Sequence, residues 1–363
     1  MSREILGWIV VPLIGMAVML MLVVYAITFH PRPVQEEGVK GSRGAPYLKA
    51  GQKLKVLTWN VQYMAGKNYV FWYDLPDHKG PDLRPSRADI TQTLSEVARV
   101  IRAENPDIIL LQEVDIGAAR TDHEDQLARL KELLPADYAC STSAFYWKAL
   151  FVPDSRVGGS VGLVLAVLSK YRIDRAVRYQ LALAPANLIT RQFNTKRAVL
   201  EARLPMVGGG EFVVLCTHLE AFAQGSNTMA REVQQVDNIL SRLSRQRVSW
   251  VLGGDFNMLP PIASAYDRLP PSNQYLYNPR SEIAPLFSAY QPVPNLEEVS
   301  GADHEKWFTH FPNGTILKAP FLTIDYLFFP RITPVGSRYV RQSDTLRISD
   351  HLPVVAEFYL GKH

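Results

Sequence analysis

Five apolar runs in this chain each abut a short polar cluster of similar make-up, and that repetition limits the fold more than any other feature. The clusters are Thr58-Trp59-Asn60, Gln112-Glu113, Thr217-His218-Leu219, Gly253-Gly254-Asp255-Phe256-Asn257 and Ser349-Asp350-His351-Leu352-Pro353. Runs such as Ile108-Ile109-Leu110-Leu111 read as strands buried on both faces. Strands that repeatedly finish in Asn, Glu, His or Asp deliver oxygen ligands and imidazoles to one rim. That donor set suits metal-assisted hydrolysis of a phosphate ester.

The other constraint is at the N-terminus. Ile5 to Phe29 is uncharged and mostly apolar, long enough to cross a hydrocarbon core as a tilted helix, with Trp8, Tyr25 and Phe29 toward its ends. A cleaved signal peptide is the competing reading, because Val24-Tyr25-Ala26 offers a small-residue cleavage site, but the run is long for a signal and a retained anchor is favoured. Arg3 precedes the run, whereas Arg32, Lys40 and Arg43 follow it. Counted literally these charges place the following domain in the cytoplasm, yet long C-terminal domains translocate regardless of them. The expectation is a single-pass membrane protein with an extracytoplasmic catalytic domain.

The net charge of +4 over 363 residues is mild and neither demands nor excludes a polyanionic partner, although a dedicated nucleic-acid binder is usually more strongly basic. Cys140 and Cys216 match no zinc or redox spacing, and Cys216, inside Phe212-Val213-Val214-Leu215-Cys216, reads as a small core residue.

The chain divides into an anchor over 1–30, a Pro-, Gly- and charge-rich linker over 31–52, and one domain over 53–363. Strands are expected at Leu54–Asn60, Asp107–Glu113, Gly162–Leu168, Arg197–Leu204, Phe212–His218, Ser249–Asp255, Ile324–Phe329 and Val354–Tyr359. Helices are expected at Ser86–Glu104, where Ile90, Leu94, Val97 and Ile101 share a face before Asn105-Pro106, and at Thr228–Arg247, with Met229, Val233, Val236, Leu240 and Leu243. Pro205 and Gly208-Gly209-Gly210 signal a hairpin, so the sheets are mixed rather than purely parallel. Tyr63–Pro85, with Tyr69, Phe71, Trp72 and Tyr73, and Pro260–Pro312 are long loops beside the clusters, positioned to shape access.

Several cluster residues carry chemistry. Glu113 beside four apolar residues must be solvated, paired or metal-bound, and with Asn60 it makes an anionic and a neutral oxygen donor suited to Mg2+ or Mn2+. Asp255 and Asn257 are two apart and face one way if the strand persists; an Asx-type turn is the alternative. Asp325, in Thr323-Ile324-Asp325-Tyr326, is an acid in an apolar run and calls for a partner such as a histidine. His218 alone reads as a core residue, whereas His351 follows an acid, Asp350, and Ser349 stands ready to orient the turn.

The ordered set Thr58-Trp59-Asn60, Gln112-Glu113, Thr217-His218-Leu219, Gly254-Asp255-Phe256-Asn257, Ile324-Asp325-Tyr326 and Ser349-Asp350-His351-Leu352-Pro353 resembles the endonuclease/exonuclease/phosphatase superfamily over about Leu54 to Tyr359. The resemblance implies an α/β fold, a four-layered sandwich of two mixed sheets flanked by helices, here preceded by one transmembrane helix. It implies that Glu113 binds the divalent cation with Asn60 and Asp350 close by. Asp255 and Asn257 would orient water and a phosphate oxygen, and His351, held by Asp325, would act as base or transition-state stabiliser. His218 would contact phosphate or assist the leaving oxygen. Thr217-His218-Leu219 is similar to the DNase I and neutral sphingomyelinase side of the superfamily. Arg197, in Lys196-Arg197-Ala198, is a weaker phosphate contact, with a solvated charge as the alternative.

The function expected is a membrane-anchored, Mg2+- or Mn2+-dependent phosphodiesterase acting on phospholipid or sphingolipid headgroups, with the bilayer as its partner and no protein partner foreseen. A tethered nuclease is the second reading, and a catalytically inactive membrane scaffold the third. The loop Tyr69–Tyr73 is expected either to dip into the headgroup layer or to pack on its own domain.

Overall fold

The structure, a computed structural model, describes residues 3–41, 44–75, 77–221, 223–314 and 319–361, with the side chains of residues 3–10 outside the description. Arg43 and the side chains of Arg3 and Trp8 therefore lie outside the described residues.

The first helix, α1, spans Arg3–Ile27. Counted over the described residues, no helix is long and apolar enough to cross a membrane, a count that leaves out the side chains of residues 3–10. From Val11 to Tyr25 the large apolar side chains of α1 are almost all exposed. Val24 and Ile27 at its foot pack onto the globular part.

Fourteen strands follow among the described residues: β1 (Val34–Glu37), β2 (Val39–Lys40), β3 (Lys53–Asn60), β4 (Ile108–Asp115), β5 (Cys140–Val152), β6 (Gly159–Ser169), β7 (Arg175–Gln180), β8 (Ala198–Pro205), β9 (Glu211–His218), β10 (Ser249–Asp255), β11 (Gln291–Val293), β12 (Asp325–Phe329), β13 (Val335–Val340) and β14 (Val354–Tyr359). They form two seven-stranded mixed sheets, ordered β13-β14-β3-β4-β6-β5-β2 and β1-β7-β8-β9-β10-β12-β11. Each sheet holds one parallel pair, β3 with β4 and β9 with β10, and is otherwise antiparallel. The hairpin expected at Pro205 and the three glycines joins β8 to β9.

Each parallel pair needs a crossover helix. The first is α2 (Arg87–Glu104), started by Ser86, whose Oγ accepts the Asp89 N–H at 3.1 Å, and stopped by Asn105 in the left-handed conformation. With α3 (Gln126–Leu133), it buries Ile90, Leu94, Val97, Ile101 and Leu130 against Leu57, Trp59, Ile109 and Leu111 on the outer face of the first sheet. A short helix, α4 (Thr190–Phe193), precedes β8. The second crossover, α5 (Thr228–Arg245), lays Val233, Val236, Leu240 and Leu243 on Val213, Leu215 and Leu252 of the other sheet. Alternate strand residues, among them Val56, Leu110, Val167, Leu200, Val214, Val251 and Leu327, meet between the sheets. Burial of each such Leu or Val contributes about 1.5–3 kcal/mol, so this inner layer fixes how the two sheets lie on each other.

One expectation is corrected here. The segment 31–52 is not a free linker: β1 pairs with β7 and β2 with β5, extending an edge of each sheet, and Leu48 is fully buried with its N–H on the Pro205 carbonyl at 3.2 Å. Strands as short and charged as Val-Gln-Glu-Glu suit sheet edges but carry too little alternation to be read. β5, thirteen residues long, also went unread because its Cys-Ser-Thr-Ser-Ala start lacks a Val/Ile/Leu run. The loop from Tyr69 to Tyr73 packs on its own domain, with Phe71 buried in the inner layer and Tyr69 and Tyr73 against it.

Candidate active site

Chain direction gathers the clusters. The parallel pairs end β3, β9 and β10 on the same rim, where β4 also presents Glu113. The antiparallel neighbours β12 and β14 begin there, so Asp325 opens β12 and His351 lies just ahead of β14 rather than at a strand's close.

Asn60 ends β3. Its Oδ1 accepts the Gln62 N–H at 3.0 Å, which turns Nδ2 toward two carboxylates, Glu113 Oε1 at 3.1 Å and Asp255 Oδ2 at 3.0 Å. As placed, Asn60 clamps these carboxylates through Nδ2, while the Gln62 N–H takes one of the two lone pairs of Oδ1. Beyond Val61, the three residues Gln62, Tyr63 and Met64 all have positive φ, a strained turn of the kind found at functional sites.

Glu113 lies inside β4, not at its end. The β4–β6 register shifts between Leu111 and Val114, and Glu113 adopts φ 56°, so a bulge re-aims the carboxylate out of the ladder. It has no Lys or Arg partner within ion-pair distance among the described residues. Burial, and then the Asp350 charge, raise its pKa above the usual carboxylate value.

Asp255 Oδ2 is the hub of the site. Besides Asn60 it faces His218 Nε2 at 3.4 Å and His351 Nε2 at 3.5 Å. Its Oδ1 accepts the Asn257 N–H at 2.9 Å, the Asx turn of the alternative reading, and Asn257, at φ 53°, sends its amide to the Leu219 carbonyl at 3.0 Å. The strand stops at Asp255, so Asn257 does not share its direction. Burial is the main cause pushing the Asp255 carboxyl up to about 7, with the facing His351 cation opposing it.

His351 Nδ1 is 2.8 Å from Asp325 Oδ2. Burial alone would lower its pKa, but Asp325, Asp255 and Asp350 outweigh burial and push it up to about 10, so the ring is a cation at neutral pH. His218 behaves oppositely: burial, then the Arg197 and His351 charges, lower its pKa well below the ordinary value. Tyr146 Oη lies 3.4 Å from His218 Nδ1. A neutral ring donating from Nε2 to Asp255 and accepting at Nδ1 from Tyr146 satisfies both contacts.

Asp350 is held by Ser349 Oγ at 3.2 Å and Gln62 Nε2 at 3.0 Å. Arg197 is buried, not solvated: its guanidinium lies over the Tyr146 ring, Nε is 3.6 Å from Glu220 Oε2, and its Nε and Nη1 make no hydrogen bond. Cys216 is buried and its thiol is pushed up to about 12, which leaves it unfit as a nucleophile.

Sequence reading missed His310, Gln62 and Tyr146. His310 Nε2 is 3.9 Å from Asp350 Oδ2, its ring centroid is 4.4 Å from that of His351, and its buried Nδ1 has no hydrogen-bond partner. His310, Asp350 and His351 form one group able to hold a metal ion, and Asp255, Asp325 and His351 another. His310 comes from the Pro-rich stretch, where no strand run marks it. The Asp350 charge raises the pKa of the buried Glu113, a repulsion that a cation beside the two carboxylates would relieve, and oxygen donors of this kind fit a divalent ion.

Residues 57–351 match the Endonuclease/Exonuclease/phosphatase family. No curated protein matches the chain. Among solved structures, an endonuclease/exonuclease/phosphatase from Beutenbergia cavernae is similar at 25% identity and a TM-score of 0.56, over 85% of this chain and 72% of that one. A family protein from Leptotrichia buccalis is 17% identical with a TM-score of 0.54, over 84% and 99%. ANGEL2, a 2′,3′-cyclic phosphatase, is 14% identical with a TM-score of 0.51, over 91% and 99%. The last two show the shared fold. The chain belongs to the Endonuclease/Exonuclease/phosphatase family.

Proposed function

We propose that this member of the Endonuclease/Exonuclease/phosphatase family is a membrane-anchored phosphodiesterase that uses Mg2+ or Mn2+ and attacks with water. The observation that carries the proposal is the line Asp325–His351–Asp255, a cationic imidazole between two carboxylates, set beside Glu113 and Asp350.

A divalent cation at Glu113 and Asp350 would neutralise charge on a non-bridging phosphate oxygen. Around it the chain's own groups divide the work. Asp255 accepts the proton of the attacking water, its carboxyl being poised near neutrality. His351, fixed by Asp325, places positive charge where the phosphate becomes more negative, which makes it a stabiliser rather than a base. His218 keeps Asp255 in place and Arg197 offers two unsatisfied N–H groups to a phosphate oxygen. Asn257 positions Asp255 through the turn.

The anchoring part is supported by the uncharged run Ile5 to Phe29, its helix α1, and the exposed apolar side chains from Val11 to Tyr25, a surface soluble monomers rarely carry. An anchored enzyme meets lipid headgroups at high local concentration, which favours phospholipid or sphingolipid substrates of the neutral sphingomyelinase kind over nucleic acid. The catalytic domain is placed outside the cytoplasm, checked by protease protection in sealed vesicles.

The test is turnover by the full chain in detergent. A generic phosphodiester should be cleaved with Mg2+ or Mn2+ and spared in chelator, with His351→Ala folded and inactive; no turnover of any phosphoester sinks the proposal. Parallel assays on phospholipid vesicles and plasmid DNA decide lipid against nucleic acid.

A further inference from the structure

We infer that the tip of the β5–β6 hairpin and the loop entering α4 form a surface that seats on the lipid bilayer beside α1. The inference deepens the anchoring reading above and rests on it.

Among the exposed large apolar residues of the globular part, which include Ile332 and Val207, four come as two adjacent pairs. Leu150 and Phe151 are 69% and 53% exposed, and Leu188 and Ile189 are 73% and 60% exposed. On the hairpin the exposure has a backbone cause. The β5–β6 register shifts between Ala149 and Val152, so Leu150 and Phe151 leave the alternation that would turn one of them inward.

These two pairs are neighbours at the foot of α1. Thr28, one residue past the helix, bridges to Ala149. Val24 and Ile27 pack with Ala149, Val152, Val161 and Phe193 in one cluster. The Trp147 indole N–H donates to the Phe193 carbonyl at 2.6 Å and ties α4 to the same strand. The exposed apolar surface of α1 therefore continues onto the hairpin and the α4 loop. A helix end held in a bilayer carries the hairpin tip to the same interface.

Charge points to the same occupant. Lys148, on the hairpin, and Arg191, in α4, are exposed beside the apolar residues, and Arg191 and Arg231 line one cleft with Pro33. Apolar tips rimmed by basic groups match an anionic headgroup layer. The surface also bears on catalysis. Tyr146, which touches His218, lies five residues before Phe151 on β5, about 17 Å at the rise of a strand.

The experiment uses the full chain in vesicles of phosphatidylcholine and phosphatidylglycerol that contain an acyl-chain quencher. Leu20→Cys, Phe151→Cys, Leu188→Cys and Val207→Cys carry a polarity-sensitive fluorophore one at a time; Cys140 and Cys216 are buried, and Val207 is exposed on the β8–β9 turn. Quenching at 151 and 188 severalfold above that at 207 is expected, together with quenching at 20. Quenching at 20 but not at 151 or 188 overturns the surface and leaves the anchor standing. Quenching at 151 and 188 but not at 20 overturns the anchor and with it the seating beside α1, and none at all three overturns both. Probes at 151 and 188 that are shielded from water yet unquenched, in a chain that crosslinks to itself through position 151, assign the patch to a second copy and overturn the proposal.

Discussion

His351 Nδ1 sits 2.8 Å from Asp325 Oδ2 while its Nε2 faces Asp255 Oδ2 at 3.5 Å, so one imidazole is gripped from both sides by carboxylates that belong to adjacent strands. Asp325 and Asp255 are register partners across β12 and β10, which sets that grip in the sheet itself.

Asp325→Asn removes the charge that orients His351 and keeps it protonated. The expected loss in kcat is about 10²- to 10⁴-fold with KM little changed, by analogy with other buried carboxylate–histidine pairs. Steady-state kinetics with a soluble phosphodiester checks this. A wild-type kcat would refute the assigned role of the pair.

Glu113→Gln separates metal binding from folding. In chelator the variant should melt no lower than the wild type, because a desolvated carboxylate repelled by Asp350 has been replaced by a neutral amide. With Mg2+ or Mn2+ added, the wild type should gain in Tm and the variant should not. Scanning calorimetry of both proteins in chelator and in metal reads the difference. Equal metal-induced shifts would remove Glu113 from the cation site.

Glu232, in α5, gives a pH dependence away from the rim. Its Oε2 accepts the Glu220 N–H at 2.8 Å, Oε1 has no partner, and burial pushes the carboxyl up to about 8. A raised pKa means that the folded state holds a proton the unfolded chain has released. The stabilisation is therefore complete below the unfolded value near 4.5 and is lost as pH rises through 8. Between pH 5 and 9 the wild type should lose on the order of 3 kcal/mol relative to Glu232→Gln. Urea unfolding at both pH values measures it, and parallel curves for the two proteins would contradict the assignment.

Gly254→Ala should fail sterically. A Cβ at this position would lie 2.0 Å from the Thr217 carbonyl oxygen, on the backbone of the neighbouring parallel strand. The strands must part, at a cost of about 1–3 kcal/mol, and the shift displaces His218 and Asp255 together. Lower unfolding midpoints accompanied by lost turnover are expected. Unchanged stability would mean that β9 and β10 are not packed this closely.

Eight strands and two long helices were legible because fully buried strands are written as apolar runs and amphipathic helices as stripes. Six of the fourteen described strands escaped, and three of them show the reason. β1 and β2 are short, charged edges, and β5 mixes Ser, Thr, Tyr, Trp and Lys, whose strand character depends on what packs against them. The site shows the same division. Glu113, Asp255, His218, Asp325 and His351 could be named because each abuts an apolar run. His310 could not, since its place beside Asp350 arises only when a Pro-rich segment folds back against the end of the chain.

The sequence by itself determined the polar termini of the strands, the apolar N-terminal run and the inventory of donors, because burial forces those choices locally. Only the tertiary structure decided what the donors do. The bulge turns Glu113 into the site, and Gln62 fixes the Asn60 amide so that it donates to two carboxylates. Three carboxylates outweigh burial and raise the pKa of His351, while burial, then the Arg197 and His351 charges, lower that of His218. Protonation states are set by charges far apart in the chain and a few ångströms apart in space, and no local pattern records them.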